Sequence, residues 1–200
     1  MTKGMVSQNN EAEVVINYFN GYVGSLLSLG ENDGKTFSNS YDLIQLGWSA
    51  DLVEPIYKPY YAMKTLHESN PKVKCHNFGI SSQNEVRNIF SPEDTLIASL
   101  IESEVKKWNT PYSQVECQFY TFKTSYERFK NLCFEFITID CEGMDLEILK
   151  QLPLGFLGCQ CICVEYSGNQ DNLQAIRSYC AQYDLKNELA LNFENVILAV

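Results

Sequence analysis

The stretch that decides the fold is Leu26-Leu27-Ser28-Leu29-Gly30-Glu31-Asn32-Asp33-Gly34. A short apolar run that stops at a glycine predicts a buried β-strand. The two glycines of the turn allow the backbone to bend tightly and to approach a ligand closely. A plain turn uses the same Gly, Asn and Asp residues, so this stretch alone predicts a strand and leaves ligand binding open.

Apolar runs alternate with helix-period segments along the rest of the chain. Strands are predicted at 26–29, 50–53, 73–78, 134–139, 161–164, 185–189 and 196–199, and helices at 37–46, 57–66, 145–152 and 173–183. The near-continuous apolar runs at 134–139 and 161–164 are typical of central strands that are covered on both faces. This alternation predicts an α/β fold, with a mostly parallel, doubly wound sheet and helices on both faces.

The 200 residues have the length of one domain. We predict a single domain over residues 1–200, with an N-terminal helical segment at 1–25. Residues 83–114 interrupt the strand–helix rhythm, and an insertion of this length is usually functional or disordered. Their apolar residues fall near helical spacing between Thr95 and Trp108. We therefore expect a helix that acts as a mobile lid over the edge of the sheet where ligands bind; a helix packed permanently on the sheet edge is the alternative.

Charge and composition narrow the list of partners. Acidic residues outnumber basic ones by 25 to 15, for a formal charge of −10, so nucleic acid is an unlikely partner. No apolar stretch reaches the length of about 18 residues that a membrane span needs. The polar N-terminus has no signal-peptide core, and the eight cysteines are expected to be reduced. These features favour a cytoplasmic protein whose partner is a small molecule and not a nucleic acid or a membrane; they do not predict the oligomeric state.

The charges near the glycine turn indicate the class of ligand. Glu54 ends the predicted strand at 50–53, where a carboxylate can accept hydrogen bonds from both ribose hydroxyls of a nucleoside cofactor. A solvated strand-end glutamate is the alternative. The dinucleotide pattern Gly-x-Gly-x-x-Gly is absent, and Glu31 and Asp33 would repel a phosphate. These carboxylates suit a cofactor that carries an ammonium and a sulfonium, which favours S-adenosylmethionine over NAD or ATP.

Two further carboxylates follow apolar strands. Asp140 comes after the strand at 134–139, and Glu165 comes after the strand at 161–164. Neighbouring parallel strands would bring the two together, with Glu142 nearby. Three converging carboxylates can hold a divalent cation or deprotonate a hydroxyl, so Asp140, Glu142 and Glu165 are the candidate catalytic residues and the candidate metal ligands. For Glu142 and Asp145, a favourable position in the first turn of a helix is the competing explanation.

The ordered set of these motifs resembles the FkbM-type methyltransferases. The segments that carry the resemblance are Leu29-Gly30-Glu31-Asn32-Asp33-Gly34, Gly47-Trp48-Ser49, Leu52-Val53-Glu54-Pro55, Phe136-Ile137-Thr138-Ile139-Asp140-Cys141-Glu142-Gly143-Met144-Asp145-Leu146, Cys163-Val164-Glu165-Tyr166 and Asn192-Phe193-Glu194-Asn195-Val196-Ile197. The resemblance implies a Rossmann-like class I methyltransferase fold, S-adenosylmethionine as donor, and O-methylation, often of sugar or natural-product hydroxyls.

The resemblance also implies roles for individual residues. The cofactor-binding residues would be Gly30, Glu31, Asn32, Asp33, Gly34, Glu54, Gly79, Ile80 and Asp140. Among them, Gly79 and Ile80 would flank the adenine, and Asp140 would lie near the methionine end. Glu142 and Glu165 would face the acceptor. The family often has an acidic residue at the position of Ser28, so Asp33 or Asp140 would take over the contact to the cofactor's amino group. It often has an alanine at the position of Glu31, where a glutamate would alter the cofactor contacts or the charge of the pocket.

Two other functions stay open on the sequence alone. A non-catalytic Rossmann-like module could bind a nucleoside or serve as an interaction partner with the same turn and strand-end carboxylate. An RNA methyltransferase would share the fold, but the net charge disfavours it.

Overall fold

Residues 6–200 are described by a computed structural model, and they form two sheets with helices. The strands are β1 Ser25–Leu29, β2 Ser49–Val53, β3 Val73–His76, β4 Gly79–Ile80, β5 Glu85–Pro92, β6 Tyr112–Tyr120, β7 Phe136–Ile139, β8 Cys161–Glu165, β9 Asn187–Leu191 and β10 Asn195–Ala199. The helices are α1 Glu11–Phe19, α2 Tyr41–Gln45, α3 Tyr57–Leu66, α4 Glu102–Lys106, α5 Phe122–Tyr126, α6 Asp145–Leu149, α7 Leu154–Leu157 and α8 Gln170–Cys180. Two short 3₁₀ turns lie at Thr95–Ile97 and Ala181–Tyr183.

The larger sheet has seven strands in the order β3-β2-β1-β7-β8-β10-β9. Strands β3, β2, β1, β7 and β8 run parallel, and β10 is antiparallel to both of its neighbours. The strand order reverses between β1 and β7, which is where ligands bind in open α/β sheets. The predicted mostly parallel, doubly wound sheet is confirmed.

Side chains that alternate along the central strands build a core on each face of this sheet. Leu27 and Ile137 pack on the face that carries α6, α7 and α8. Leu26 and Phe136, one residue away, pack on the opposite face with α1, α2 and α3. Because successive strand residues point to opposite faces, the continuous apolar runs of the sequence correspond to strands covered on both sides.

The helix predicted over 37–46 is wrong at its start. Only Tyr41–Gln45 is helical. Phe37 has a φ of 57°, which a bulky residue seldom adopts within regular structure. The Ser38 hydroxyl accepts the backbone N–H groups of Ser40 (3.1 Å) and Tyr41 (2.9 Å). These local bonds compete with helix formation and hold residues 37–40 as a loop.

The helix predicted between Thr95 and Trp108 is also wrong. Residues 83–114 form β5, a 3₁₀ turn, the five-residue helix α4 and the beginning of β6. β5 pairs antiparallel with β6, and β4 pairs parallel with β6 in a second, three-stranded sheet. Ser99 exchanges backbone hydrogen bonds with Phe90 (2.9 and 3.1 Å), so a strand-like contact interrupts the apolar pattern that suggested one helix.

The N-terminal helical segment expected at 1–25 contains one helix, α1, and its buried face includes Ala12 and Val15. Residues 1–5 lie outside the described residues. Within residues 6–200, no helix has both the length and the apolar character needed to cross a bilayer.

All eight cysteines are free thiols. Cys159, Cys161 and Cys163 are buried, as expected for small core residues. Cys133 is exposed and Cys141 is half-buried, because both lie just outside the ends of β7 and not within it.

Candidate functional site

A cavity of about 700 Å³ opens at the carboxyl ends of the parallel strands. Its wall includes Gly30 after β1, Glu54 after β2, Asp140 after β7 and Glu165 at the end of β8. The volume is in the range of small-molecule and cofactor sites. The fold therefore brings residues that are far apart in the sequence to one concave site at the reversal of strand order.

Gly30 joins three strand ends. Its φ is +83°, and a Cβ atom on it would lie 1.7 Å from the carbonyl oxygen of Asp140. The backbone N–H groups of Gly30 and Glu31 both donate to the carbonyl of Val53 (3.0 and 3.1 Å), and the N–H of Asp140 donates to the carbonyl of Leu29 (3.0 Å). Only glycine fits this close approach, which shapes the floor of the cavity.

Glu31 is a buried carboxylate held by hydroxyl groups. Ser38 and Ser40 donate to its Oε1 (2.5 and 2.7 Å), and the Ser28 hydroxyl donates to its Oε2. Burial raises the pKa of Glu31, and the three hydroxyl donors oppose that shift. Glu31 lines the cavity without a cation from residues 6–200 beside it, so it can accept a positively charged group of a ligand.

Glu54 is fixed in place by two backbone donors. Its Oε1 accepts the N–H of Ile56 (2.7 Å), and its Oε2 accepts the N–H of Asn32 (3.1 Å). Each oxygen keeps a lone pair for a further donor. Burial raises the pKa of Glu54 from 4.5 to about 7, with a smaller contribution from the charge of Glu31, while the two N–H donors act against the shift.

This pKa shift predicts a pH-dependent loss of stability in the ligand-free chain. The raised pKa of Glu54 means that the folded state binds this proton more tightly than the unfolded state does. Its contribution is therefore complete below pH 4.5 and is lost as the pH rises through about 7. Denaturant unfolding of wild type and Glu54→Gln at pH 5 and pH 8 measures this effect. We expect the difference in unfolding free energy between the two chains to change by about 2.5 kcal/mol in favour of Glu54→Gln at the higher pH; a pH-independent difference would contradict the shift.

The structure leaves two residues of the glycine turn outside the cavity wall. The Asp33 carboxylate accepts the N–H groups of Lys35 and Thr36 (2.9 and 2.7 Å) and the Thr36 hydroxyl (2.7 Å). A Cβ atom on Gly34 would lie 2.9 Å from the side chain of Met63 on α3. Both residues shape the turn. Asn32 does line the cavity, and it donates to the hydroxyl of Thr95 (3.2 Å) in the segment above it.

Gly79 and Ile80 lie on the apolar side of the cavity. Both are buried in β4 and line the wall together with Ile89 and Phe119. A Cβ atom on Gly79 would lie 2.2 Å from the ring of Phe119, so the glycine lets this ring pack against β4. A flat apolar wall of this kind suits the face of an aromatic base.

Asp140, Glu142 and Glu165 converge on the opposite side. One side-chain oxygen from each lies within 4.8 Å of the other two. Burial, followed by the nearby charge of Glu165, raises the pKa of Asp140. The same two causes raise the pKa of Glu142 to about 8. Glu142 has a φ of 49°, a strained backbone of the kind found at functional sites.

Asp145 holds this turn together and does not line the cavity. Its carboxylate accepts the N–H groups of Cys141 (2.7 Å) and Gly143 (3.0 Å). It thereby fixes the backbone on which Glu142 is presented. Asp145 is also the first residue of α6, so it occupies the position in the first helical turn that the sequence predicts for it.

Sequence reasoning missed two buried amides in the cavity wall. Asn39 and Asn195 are 7% and 6% exposed, and both line the cavity. Within residues 6–200, neither Oδ1 atom has a hydrogen-bond partner. Asn39 lies just after the glycine turn, in a stretch whose spacing predicts a helix, and Asn195 is the first residue of β10. These two positions are the only signals in the sequence that could have indicated them.

The sheet order and the cavity at the reversal of strand order define a Rossmann-like α/β protein whose cavity lies where such folds bind their ligands. The Methyltransferase FkbM domain matches residues 28–186 of the sequence. The chain therefore belongs to the FkbM methyltransferase family, whose fold and cofactor are those of S-adenosylmethionine-dependent methyltransferases. Among curated proteins, none matches this sequence at a significant level.

Solved structures show the same fold. Methyltransferase FkbM from Methylobacillus flagellatus KT superimposes with a TM-score of 0.59 at 10% identity, over 98% of this chain and 48% of that one. The human methyltransferase 10 domain containing protein gives a TM-score of 0.52 at 11% identity, over 98% of this chain and 83% of that one. This chain spans about half the length of the bacterial protein.

Proposed function

We propose that this protein transfers a methyl group from S-adenosylmethionine to a hydroxyl oxygen of a small polar acceptor such as a sugar. The observation that carries the proposal is one cavity at the reversal of strand order, in which Glu31, Glu54 and Asp140 surround the close-approach glycine Gly30. The three carboxylates exclude a phosphate-rich cofactor and favour one with an ammonium and a sulfonium.

The residues present fit this cofactor. The free lone pairs of the Glu54 carboxylate would accept the ribose hydroxyls, and Ile80 and Phe119 would contact the adenine. Glu31 and the unpartnered Oδ1 of Asn39 would accept the ammonium. Bound S-adenosylmethionine supplies an electrophilic methyl group on its sulfonium. Asp33 and Gly34 contribute by shaping the turn.

The acceptor hydroxyl would lose its proton to the carboxylates at the ends of β7 and β8. A general base works best when its pKa lies near the working pH. Burial, followed by the charge of Glu165, raises the pKa values of Asp140 and Glu142. Burial and the charge of Glu194 raise the pKa of Glu165, so a carboxylate here is a stronger base than a solvated one. We assign the base to Asp140, because it lies between the cofactor turn and Glu165, and the positioning of the acceptor to Glu142 and Glu165.

A divalent cation is the alternative way to activate the hydroxyl. One side-chain oxygen from each of Asp140, Glu142 and Glu165 lies within 4.8 Å of the other two. Hard cations bind carboxylate oxygens that converge in this way, which favours this alternative. Full activity after exhaustive chelation would reject the cation and leave the carboxylate base.

Glu54→Ala is expected to weaken the binding of S-adenosylhomocysteine by about 1.5–3 kcal/mol, because two charge-assisted hydrogen bonds to the ribose disappear. Glu54→Gln should lose less, since its amide oxygen still accepts. Calorimetric titration measures both. Glu147→Gln, which removes an exposed carboxylate of α6 away from the cavity wall, is the matched control. Unchanged affinity in Glu54→Ala would remove Glu54 from the ribose role.

Residues 83–114 form one wall of the cavity, and we propose that this segment closes over cofactor and acceptor. Thr95 and Leu96 line the cavity. Thr95 bonds Asn32 (3.2 Å) and the Ser99 hydroxyl donates to the carbonyl of Glu142 (2.7 Å), while Leu100 and Ile101 pack against the edge of the main core. Closure would exclude water from the transfer.

Hydrogen exchange tests this lid. We expect weak amide protection within 93–108 in the free protein, rising when S-adenosylhomocysteine is added, because ligand contacts stabilise the closed state. The central strand β7 is the internal reference. Strong protection that the ligand leaves unchanged would show a static wall.

The proposed activity is tested by incubating the protein and S-adenosylmethionine with metabolite extracts and searching for acceptors that gain the mass of one methylene group. A non-catalytic nucleoside-binding module would bind S-adenosylhomocysteine but produce neither that mass gain nor S-adenosylhomocysteine from the donor. Binding of tRNA at low salt would favour the RNA methyltransferase instead. The eight free thiols support the expected cytoplasmic location.

A further inference from the structure

The corner of the cavity beside β10 has features that the cofactor does not explain. Asn195 of β10 pairs in register with Glu165 of β8. The backbone N–H groups of Tyr166 and Ser167 both donate to the carbonyl of Glu194 (2.7 and 3.2 Å). Glu165, Glu194 and Asn195 all line the cavity. The antiparallel pairing thus brings two carboxylates and one amide to a single corner, one strand beyond Asp140.

The polar atoms of this corner need hydrogen-bond donors. The Glu165 Oε1 accepts the hydroxyl of Ser167 (2.6 Å), while its buried Oε2 has no donor within residues 6–200 other than the Asp140 carboxyl when that group is protonated. The Asn195 Nδ2 donates to Glu11 (3.0 Å). That bond fixes the orientation of the amide, and the buried Oδ1 of Asn195 also lacks a partner in the described part of the chain. Buried acceptors without donors are costly, so a ligand that supplies donors would stabilise this corner.

The charge of the cavity selects among possible donors. Eight of its lining side chains are carboxylic acids and one is a lysine, and that lysine, Lys107, forms an ion pair with Glu104. Among the side chains of residues 6–200, Glu194 accepts hydrogen bonds from the neutral amides of Gln8 (3.0 Å) and Asn9 (2.9 Å) and from no cation. Neither Glu165 nor Glu194 has a salt bridge among residues 6–200. The ammonium of one bound S-adenosylmethionine would contact Glu31 and Asn39. The negative charges of Glu165 and Glu194 would therefore stay without a cation.

We propose that the methyl acceptor carries a positively charged amine in addition to its hydroxyl, and that Glu165 and Asn195 bind this ammonium group. The inference rests on the proposed function and names the class of its substrate: a hydroxylated amine, such as an amino sugar, and not a sugar phosphate. An ammonium group offers three hydrogen-bond donors and no acceptor, which matches a corner that offers unpartnered acceptors and negative charge. A phosphate would meet carboxylates on every side and would be repelled.

Three sugars with the same ring test the inference. D-Glucosamine, D-glucose and D-glucose 6-phosphate differ in charge, and their binding to the full chain saturated with S-adenosylhomocysteine is measured by saturation-transfer NMR. We expect glucosamine to bind about tenfold more tightly than glucose, and glucose 6-phosphate to bind most weakly. Glu165→Gln, which keeps the shape and removes the charge, should reduce glucosamine to the affinity of glucose. Glu147→Gln, an exposed carboxylate outside the cavity wall, should leave the ranking unchanged.

Other results would overturn the inference. The inference is wrong if the three sugars bind equally, if glucose 6-phosphate is preferred, if glucosamine does not bind, or if the preference for glucosamine survives in Glu165→Gln. A preference that requires added Mg²⁺ would assign the corner to a divalent cation. Calorimetry with S-adenosylhomocysteine on the same samples distinguishes the two proposals. If the wild-type protein does not bind S-adenosylhomocysteine, the proposed function is wrong. The ranking of the three sugars, repeated without S-adenosylhomocysteine, tests the ammonium site alone.

Discussion

Gly30→Ala is expected to abolish cofactor binding and to lower the free energy of unfolding by about 3 kcal/mol or more. The added Cβ atom would lie 1.7 Å from the carbonyl oxygen of Asp140, a backbone atom that cannot move without shifting β7. The φ of +83° adds the usual penalty for a side chain in the left-handed region. Denaturant unfolding and calorimetry with S-adenosylhomocysteine measure the two effects.

Gly21→Ala is the matched control for this prediction. Gly21 has nearly the same φ, +85°, but nothing lies within 4 Å of the Cβ atom it would gain. We expect this variant to lose only about 1 kcal/mol and to bind the cofactor as wild type does. Equal destabilisation of the two variants would show that backbone conformation, and not the approach of Gly30 to Asp140, limits the site.

Asp140→Asn is expected to lower turnover by about 100-fold or more while the fold is retained and the affinity for S-adenosylhomocysteine, whose ammonium Glu31 and Asn39 would hold, falls much less than turnover. The amide keeps the shape of the side chain but cannot accept the hydroxyl proton, and general-base catalysis is typically worth a factor of about 10² to 10⁴. Because burial and neighbouring carboxylates raise the pKa of Asp140, removing its charge should leave stability at neutral pH unchanged or increased. Single-turnover methyl transfer to an identified acceptor measures the rate.

The outcome for Asp140 separates catalysis from packing. Glu147→Gln serves as the control, since this carboxylate is exposed on α6 and does not line the cavity. Wild-type turnover in Asp140→Asn would show that Asp140 is only a strand-end carboxylate, and the base would then have to be sought at Glu142 or Glu165.

The central sheet and most of the site are predictable from the sequence because the signals are local. The apolar runs at 26–29, 50–53, 134–139 and 161–164 are each followed by a glycine or a carboxylate, and parallel strands carry those ends to the same edge. The sequence pattern alone therefore places Gly30, Glu54, Asp140 and Glu165 at one site, and the four residues do line one cavity.

The features that the sequence does not predict depend on contacts distant in the chain or on side-chain direction. The pairing of β5 with β6 and the exchange of backbone bonds between Phe90 and Ser99 set the form of 83–114, and an apolar spacing cannot reveal such partners. Within the glycine turn, Asp33 bonds its own loop while Glu31 points to the serine hydroxyls of the cavity wall. No periodicity distinguishes those two carboxylates.

Amide NMR of the isotope-labelled protein during titration with S-adenosylhomocysteine tests the central claim most directly. We expect saturable shifts that cluster at the cavity wall, at residues Gly30, Asn32, Glu54, Ile80 and Asp140, with little change in α8. A second, smaller depression lies beside Phe122, Tyr126 and Phe156, and the amide signals of its residues should not shift. No saturable shift, or shifts centred on that second depression, would contradict the assignment of the cavity as the S-adenosylmethionine site.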